Sequence, residues 1–259
     1  MSSEINTVEI REMSFSNGDQ TIYGKLYIPG TSEKYPTIIL SHGYNGAHTD
    51  YETECMYFAQ HGYVAYVFDF CGGSTRSKSS GQTTDMTIFT EKSDLLTVID
   101  AISSLDFVDD KNLWLFGGSQ GGMITVLAAE ERAACIRGLI LYFPALCIPA
   151  DWRKKYPSLA DIPETTELWN MRLGRTFFTS IHDFDVYAHL RHFQKDVLIF
   201  QGDADEIVPL ASAQKTAAHY KNAKLVVFPH EGHGFSEAVN RLSLQQAVAF
   251  MNQHQSISF

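Results

Sequence analysis

Gly117-Gly118-Ser119-Gln120-Gly121 sets a serine between glycines at the spacing G-x-S-x-G. A serine hydroxyl is a poor nucleophile alone. It becomes reactive when an imidazole takes its proton and a carboxylate fixes the imidazole's tautomer. Attack of such a serine on a carbonyl carbon is the chemistry this pattern could perform. The flanks agree. Asn112-Leu113-Trp114-Leu115-Phe116 enters as a strand, and Gly122-Met123-Ile124-Thr125-Val126-Leu127-Ala128 leaves as a helix. A sharp strand-to-helix turn holds its central residue in a strained backbone conformation. Gly117 and Gly121 would remove side chains that clash there, and the turn would lift the hydroxyl to the positive end of the helix. The plainer alternative is a glycine-rich connection in which Ser119 is only an N-cap.

Two later apolar runs end in loops that carry the other groups. Val197-Leu198-Ile199-Phe200-Gln201-Gly202 leads into Asp203-Ala204-Asp205-Glu206-Ile207-Val208-Pro209. Leu225-Val226-Val227-Phe228 leads into Pro229-His230-Glu231-Gly232-His233-Gly234-Phe235. The acid candidates are Asp203, Asp205 and Glu206, and the base candidates are His230 and His233. Asp203 suits hydrogen bonding to the amides of its own turn. His230 suits a structural position or a pocket edge. The order serine, acid, histidine is the one that accompanies a nucleophile elbow on a parallel sheet.

Elements that could position these loops alternate along the chain. Thr7–Phe15 and Thr21–Ile28 read as strands around the turn residues Asn17-Gly18-Asp19. Strands are expected at Tyr35–Ser41, Val64–Phe70, Leu113–Gly117, Ile136–Phe143, Val197–Gln201 and Leu225–Phe228. Helices are expected at Asp50–His61, Thr84–Leu105, Gly121–Arg132, Ala211–Tyr220 and Ser236–Gln253, with Leu95, Leu96, Ile99 and Ile102 sharing a face of the second. Alternation of this kind implies an α/β fold: a mostly parallel sheet with helices on both faces. Residues 149–191 break the rhythm with prolines, charges and aromatics, Trp152, Tyr156, Trp169, Phe177, Phe178 and Phe184 among them. They read as a cap inserted into a core of residues 1–148 and 192–259.

With these motifs the chain resembles the α/β-hydrolase superfamily over nearly its whole length. In such enzymes the acid stands three positions before the Val-Pro pair, which selects Asp205. The base is the histidine flanked by small residues before the last helix, which selects His233. Ser41-His42-Gly43-Tyr44-Asn45-Gly46 looks like the family's HG-x loop. The resemblance implies that the backbone N–H groups of Tyr44 and Gln120 form the oxyanion hole, with His42 structural beneath the loop. Within the superfamily the chain looks most like small bacterial cinnamoyl (feruloyl) esterases. It departs from many of them after the strand at Val64–Phe70. There a Gly-His-Gly-x-Ser stretch is replaced by Cys71-Gly72-Gly73-Ser74-Thr75-Arg76-Ser77. Trp152, Trp169 and Phe177 are the candidates for holding a planar aromatic acyl group, against the alternative that they only pack the cap.

The expected activity is ester hydrolysis through an acyl-enzyme. Peptidase, thioesterase and acyltransferase chemistry use the same three groups, and a ligand-binding receptor uses the same fold. Prolyl-type peptidases usually carry a large further domain, which weighs toward an esterase. No metal or organic cofactor is needed. The 259 residues carry a formal net charge of −10, which repels phosphate backbones, so the expected partner is a small-molecule ester and not nucleic acid. A homodimer is left open. Cys55, Cys71, Cys135 and Cys147 form no C-x-x-C pair and fit reduced thiols. The polar start, MSSEINTVEI, does not read as a signal peptide, and no apolar run suits a membrane span. The expected location is the cytoplasm.

Overall fold

The computed structural model describes residues 7–30 and 34–255. The amino-terminal stretch forms β1 (Val8–Glu12), β2 (Phe15–Asn17), β3 (Gln20–Ile22) and β4 (Gly24–Pro29). The turn at Asn17-Gly18-Asp19 does not join two long strands. It closes a separate small hairpin, β2 on β3, while β1 pairs antiparallel with β4. A long-range contact accounts for the difference. The Asn17 side chain donates to Ser93 Oγ at 3.1 Å and Asp94 Oδ1 at 2.9 Å, which pulls the turn off the sheet and onto a helix.

The alternating elements follow as β5 (Tyr35–Ser41), α1 (Glu52–Gln60), β6 (Val64–Phe68), α2 (Ile88–Ser103), β7 (Val108–Gly118), α3 (Gln120–Glu131) and β8 (Ile136–Tyr142). Helix α2 starts later than residue 84 because Thr87 caps it. The Thr87 hydroxyl accepts the Thr90 N–H at 3.0 Å, satisfying a donor the helix itself leaves free. Its buried stripe runs through Ile88, Glu91, Leu95, Val98, Ile99 and Ile102, with Leu96 only half-buried.

Between β8 and the next sheet strand lie α4 (Ile148–Lys155), the hairpin β9 (Thr165–Leu168) with β10 (Met171–Gly174), and α5 (Arg175–Ile181). The hairpin turns at Trp169 and Asn170, with φ of 44° and 61°. That left-handed pair supplies the twist a two-residue hairpin needs, but tryptophan is a rare residue for it. Hence no turn signal marked this hairpin in the sequence. The chain then completes the sheet with β11 (Asp196–Gly202), α6 (Leu210–His219), β12 (Ala223–Phe228) and α7 (Glu237–Gln253).

The eight-stranded sheet has the order β1-β4-β6-β5-β7-β8-β11-β12. Pairing is parallel from β6 to β12 and antiparallel on both sides of β4. Side chains alternate between its faces, as the strand period of two requires. Ile39, Leu113 and Leu115 join the core shared with α2 and α3, while Ile38, Leu40, Trp114 and Phe116 join the core shared with α1 and α7. Chain progression reverses between β5 and β7, since β5 leads outward to β6 and β7 leads the other way to β8. A crevice opens at the carboxyl ends of strands at such a switch point. Ser41 of β5 pairs with Gly117 of β7, so the loops that leave both strands face each other there.

All four cysteines are unpaired, with Cys55 and Cys71 buried and Cys135 and Cys147 partly so. Among the described residues, no helix is long and apolar enough to cross a membrane.

Candidate active site

Ser119 sits at the turn from β7 to α3 with φ 53° and ψ −121°. This strained conformation is held from three sides. The Ser119 N–H donates to Tyr142 O at 2.9 Å, and its carbonyl accepts from Gly122 N and Ala145 N. The glycines are required by close approach. A Cβ at 121 would fall 2.3 Å from the His42 carbonyl oxygen, and one at 117 would fall 2.3 Å from Thr125 Oγ1. The oxygen of Ser119 stands at the amino end of α3, where backbone dipoles favour developing negative charge.

Strands β11 and β12 run parallel with Gly202 opposite Phe228, so their loops emerge side by side. Asp203 N donates to Phe228 O and Ala204 N to Glu231 O, closing the two loops on each other. Gly202 permits this, because a Cβ there would meet Glu231 O at 2.1 Å. As a result Asp205 Oδ2 lies 2.9 Å from His233 Nδ1, and His233 Nε2 lies 3.1 Å from Ser119 Oγ. A carboxylate only accepts, so Nδ1 carries the proton and Nε2 is free to accept from the serine hydroxyl. The structure thus joins the three residues singled out in the sequence.

The side chain of Asp205 is fully buried. Burial alone would raise its pKa. Hydrogen bonds from His233, from the Val208 N–H at 2.8 Å and from the Ile207 N–H at 2.9 Å outweigh that and hold it below the ordinary carboxylate value. Gln201 adds a donor, Nε2 to Asp205 Oδ2 at 3.0 Å. The rivals lie elsewhere. Asp203 accepts the N–H of His230 at 2.6 Å, an amide of the neighbouring loop and not of its own turn. His230 is exposed, with φ 65°. Glu206 is exposed at the cavity edge.

The loop after β5 packs directly on Ser119, since a Cβ at Gly43 would lie 3.2 Å from Ser119 Cβ. His42 holds this loop from below. The Phe70 N–H donates to its Nε2 at 3.1 Å, which leaves the proton on Nδ1 to donate to Gly43 O at 2.8 Å. Burial lowers its pKa, in keeping with a neutral, structural ring. Tyr44 and Gln120, the expected oxyanion donors, line one cavity with Ser119.

That cavity measures about 330 Å³. Its walls include Trp152, Trp169 and Phe177, with Cys147, Ile148, Leu168 and Leu173. The three aromatics differ in burial. Phe177 is 1% exposed and belongs to the core, whereas Trp169 is 57% exposed at the hairpin tip. Trp152 stacks on Tyr156 and meets Phe178 edge-on. The tip is tied to the loop after β5: Tyr44 Oη donates to Leu168 O, Asn45 Nδ2 donates to Trp169 O, and the Tyr44 and Trp169 rings meet edge to face.

Residues 49–257 match the family model of the prolyl oligopeptidase family. The chain belongs to that family. Residues 1–93 also match a model for acetyl xylan esterase. Among curated proteins, this prolyl oligopeptidase family member is 24% identical over 232 residues to acylamino-acid-releasing enzyme 1 of Oryza sativa subsp. japonica. The match takes in 78% of this chain but only 28% of that protein's length. Among solved structures, Est1E from Butyrivibrio proteoclasticus, with ferulic acid bound, superposes with a TM-score of 0.83 at 28% identity, covering 93% of this chain and 98% of that one. Acetyl xylan esterase 1 from Thermoanaerobacterium sp. JW/SL YS485 shares the fold, with a TM-score of 0.68 at 20% identity over 97% and 89% of the two chains. The family member has the α/β-hydrolase fold.

Three neighbours of the site lie outside the motifs that mark it in the sequence. Gln201 is a polar residue at the end of an apolar strand run, which was a readable signal. Glu91 is an acid on the apolar stripe of α2, also readable. Phe143, whose ring centroid lies 4.6 Å from that of His233, carries no signal, because only its φ of 38° turns it there.

Proposed function

We propose that this protein hydrolyses small carboxylic esters with aromatic, cinnamoyl-type acyl groups through an acyl-enzyme on Ser119. His233 takes the hydroxyl proton as Oγ attacks the ester carbonyl, and Asp205 holds the imidazole and stabilises its charge. The backbone N–H groups of Tyr44 and Gln120 receive the oxyanion. His233 then protonates the leaving alcohol and activates the water that releases the acid.

The observation that carries this reading is the single imidazole bonded to both Ser119 Oγ and Asp205 Oδ2 at the mouth of an apolar cavity. The cavity's volume falls at the lower end of the range for small-molecule sites, which favours a compact acyl group. Its aromatic walls and the likeness to a protein solved with ferulic acid support a planar acyl group. A second reading, hydrolysis of aminoacyl amides, draws on the prolyl oligopeptidase family match and the acylamino-acid-releasing relative. A panel of methyl ferulate, p-nitrophenyl acetate, an acyl-thioester and an aminoacyl anilide separates the two. The proposal expects the highest kcat/KM on methyl ferulate; a preference for the anilide would replace it with the second reading.

A further inference from the structure

Glu91 is 1% exposed, and its carboxyl is buried one layer behind the nucleophile elbow. Its Oε2 accepts from Gln120 Nε2 at 2.7 Å, and Gln120 is itself only 2% exposed. Gly73 leaves room for the carboxyl on the other side, since a Cβ there would lie 3.1 Å from Glu91 Oε1. One buried acid therefore adjoins Gln120, a residue assigned to the oxyanion hole.

Gln120 is the first residue of α3. Its N–H shares a peptide plane with the Ser119 carbonyl, which Gly122 N and Ala145 N hold from one side. The bond from the Gln120 side chain to Glu91 anchors the same residue from the other side. An oxyanion donor is effective only if its direction is set before charge develops. Burying a carboxyl where an apolar side chain would fill the space is costly, so its presence calls for a role.

We propose that Glu91, in its uncharged form, is a positioning residue for the oxyanion hole and acts through Gln120. The role rests on the reading of Ser119 as nucleophile. An ionised Glu91 would set a negative charge behind the site where another must form. Burial, with a smaller push from Asp94 and against the hydrogen bond from Gln120, raises its pKa to about 8, so the acid form prevails at neutral pH. The ionisable group that acts on it is Asp94 on the same helix.

The test is steady-state kinetics of Glu91→Ala and Glu91→Gln against wild type between pH 6 and about pH 9.5. Glu91→Ala should lower kcat about tenfold or more with KM within about twofold, the pattern of an interaction felt only in the transition state. Glu91→Gln keeps a neutral acceptor for Gln120 and should restore kcat to within about threefold of wild type. Wild-type kcat should fall above about pH 8, and Glu91→Gln should lack that limb. Unchanged kcat in Glu91→Ala, a loss confined to KM, or equal losses and equal alkaline limbs in both variants would overturn the proposal. If Glu91→Ala does not fold, Gln120→Ala cuts the same bond from the other side and keeps the backbone N–H; unchanged kcat there overturns it equally. Loss of turnover in Ser119→Ala tests the nucleophile separately, so a silent Glu91 variant beside an inactive Ser119 variant removes only this role.

Discussion

His233 Nε2 lies 3.1 Å from Ser119 Oγ, although 114 residues separate the two in the chain. The contact exists because the parallel strands β7 and β12 both end at the carboxyl end of the sheet, and because their loops are fixed before any substrate arrives. Ser119 is fixed by its bond to Tyr142 O, and His233 by Asp205 Oδ2.

Replacing Ser119 by Ala should remove the attacking oxygen and little else. Hydrolysis of p-nitrophenyl acetate should fall by about 10⁴-fold or more, as for loss of a nucleophile that works as a unit with its base. The thermal midpoint should stay within about 3 °C of wild type. Turnover that survives the change, in a folded variant, would exclude Ser119 as nucleophile.

Asp205→Asn should keep the packing but present an amide to Nδ1, favouring the wrong tautomer, and lower kcat about 10⁴-fold. The same substitution should alter acid stability. The native pKa of Asp205 lies below its unfolded value, so its contribution is complete above the ordinary carboxylate range and is lost as pH falls through the native pKa. Urea midpoints for wild type should therefore drop more steeply than those of Asp205→Asn from neutral pH into the acid range below about pH 4.

Gly121→Ala places a methyl group 2.3 Å from the His42 carbonyl oxygen and 2.5 Å from that of Ser41. Backbone atoms of β5 and its loop must move to admit it. We expect a loss of about 1–3 kcal/mol or more in urea unfolding, together with loss of activity as the loop shifts. Wild-type stability and rate in this variant would contradict the close packing of α3 on that loop.

Phe177→Ala and Trp169→Ala should part company. Phe177 is core, and its truncation should cost about 3–5 kcal/mol. Trp169 is exposed, and its truncation should change stability by no more than about 0.5 kcal/mol. Its effect should appear as a several-fold rise in KM for methyl ferulate with little change for p-nitrophenyl acetate. Equal KM changes on both esters would mean that Trp169 does not contact the acyl group.

The alternation of strands and helices, the elbow at Ser119 and the two loops that carry Asp205 and His233 are legible in the residues alone. These are local properties: apolar runs set the strands, and glycines at 117 and 121 mark a turn with no room for a side chain at those two positions. The sequence also offered Asp203, Glu206 and His230 beside them, and only a family resemblance chose among these. Tertiary structure makes the choice physically, because Gly202 lets the β11 loop close on Glu231, so that Asp205 faces His233 while Asp203 is taken up by the His230 amide. The hairpin at Trp169, the second hairpin at Gly18 and the pairing of Glu91 with Gln120 were likewise decided only in three dimensions. Each depends on a partner far away in the chain, Asn45 for the first, Asp94 for the second and the first turn of α3 for the third, and no local periodicity encodes such a partner.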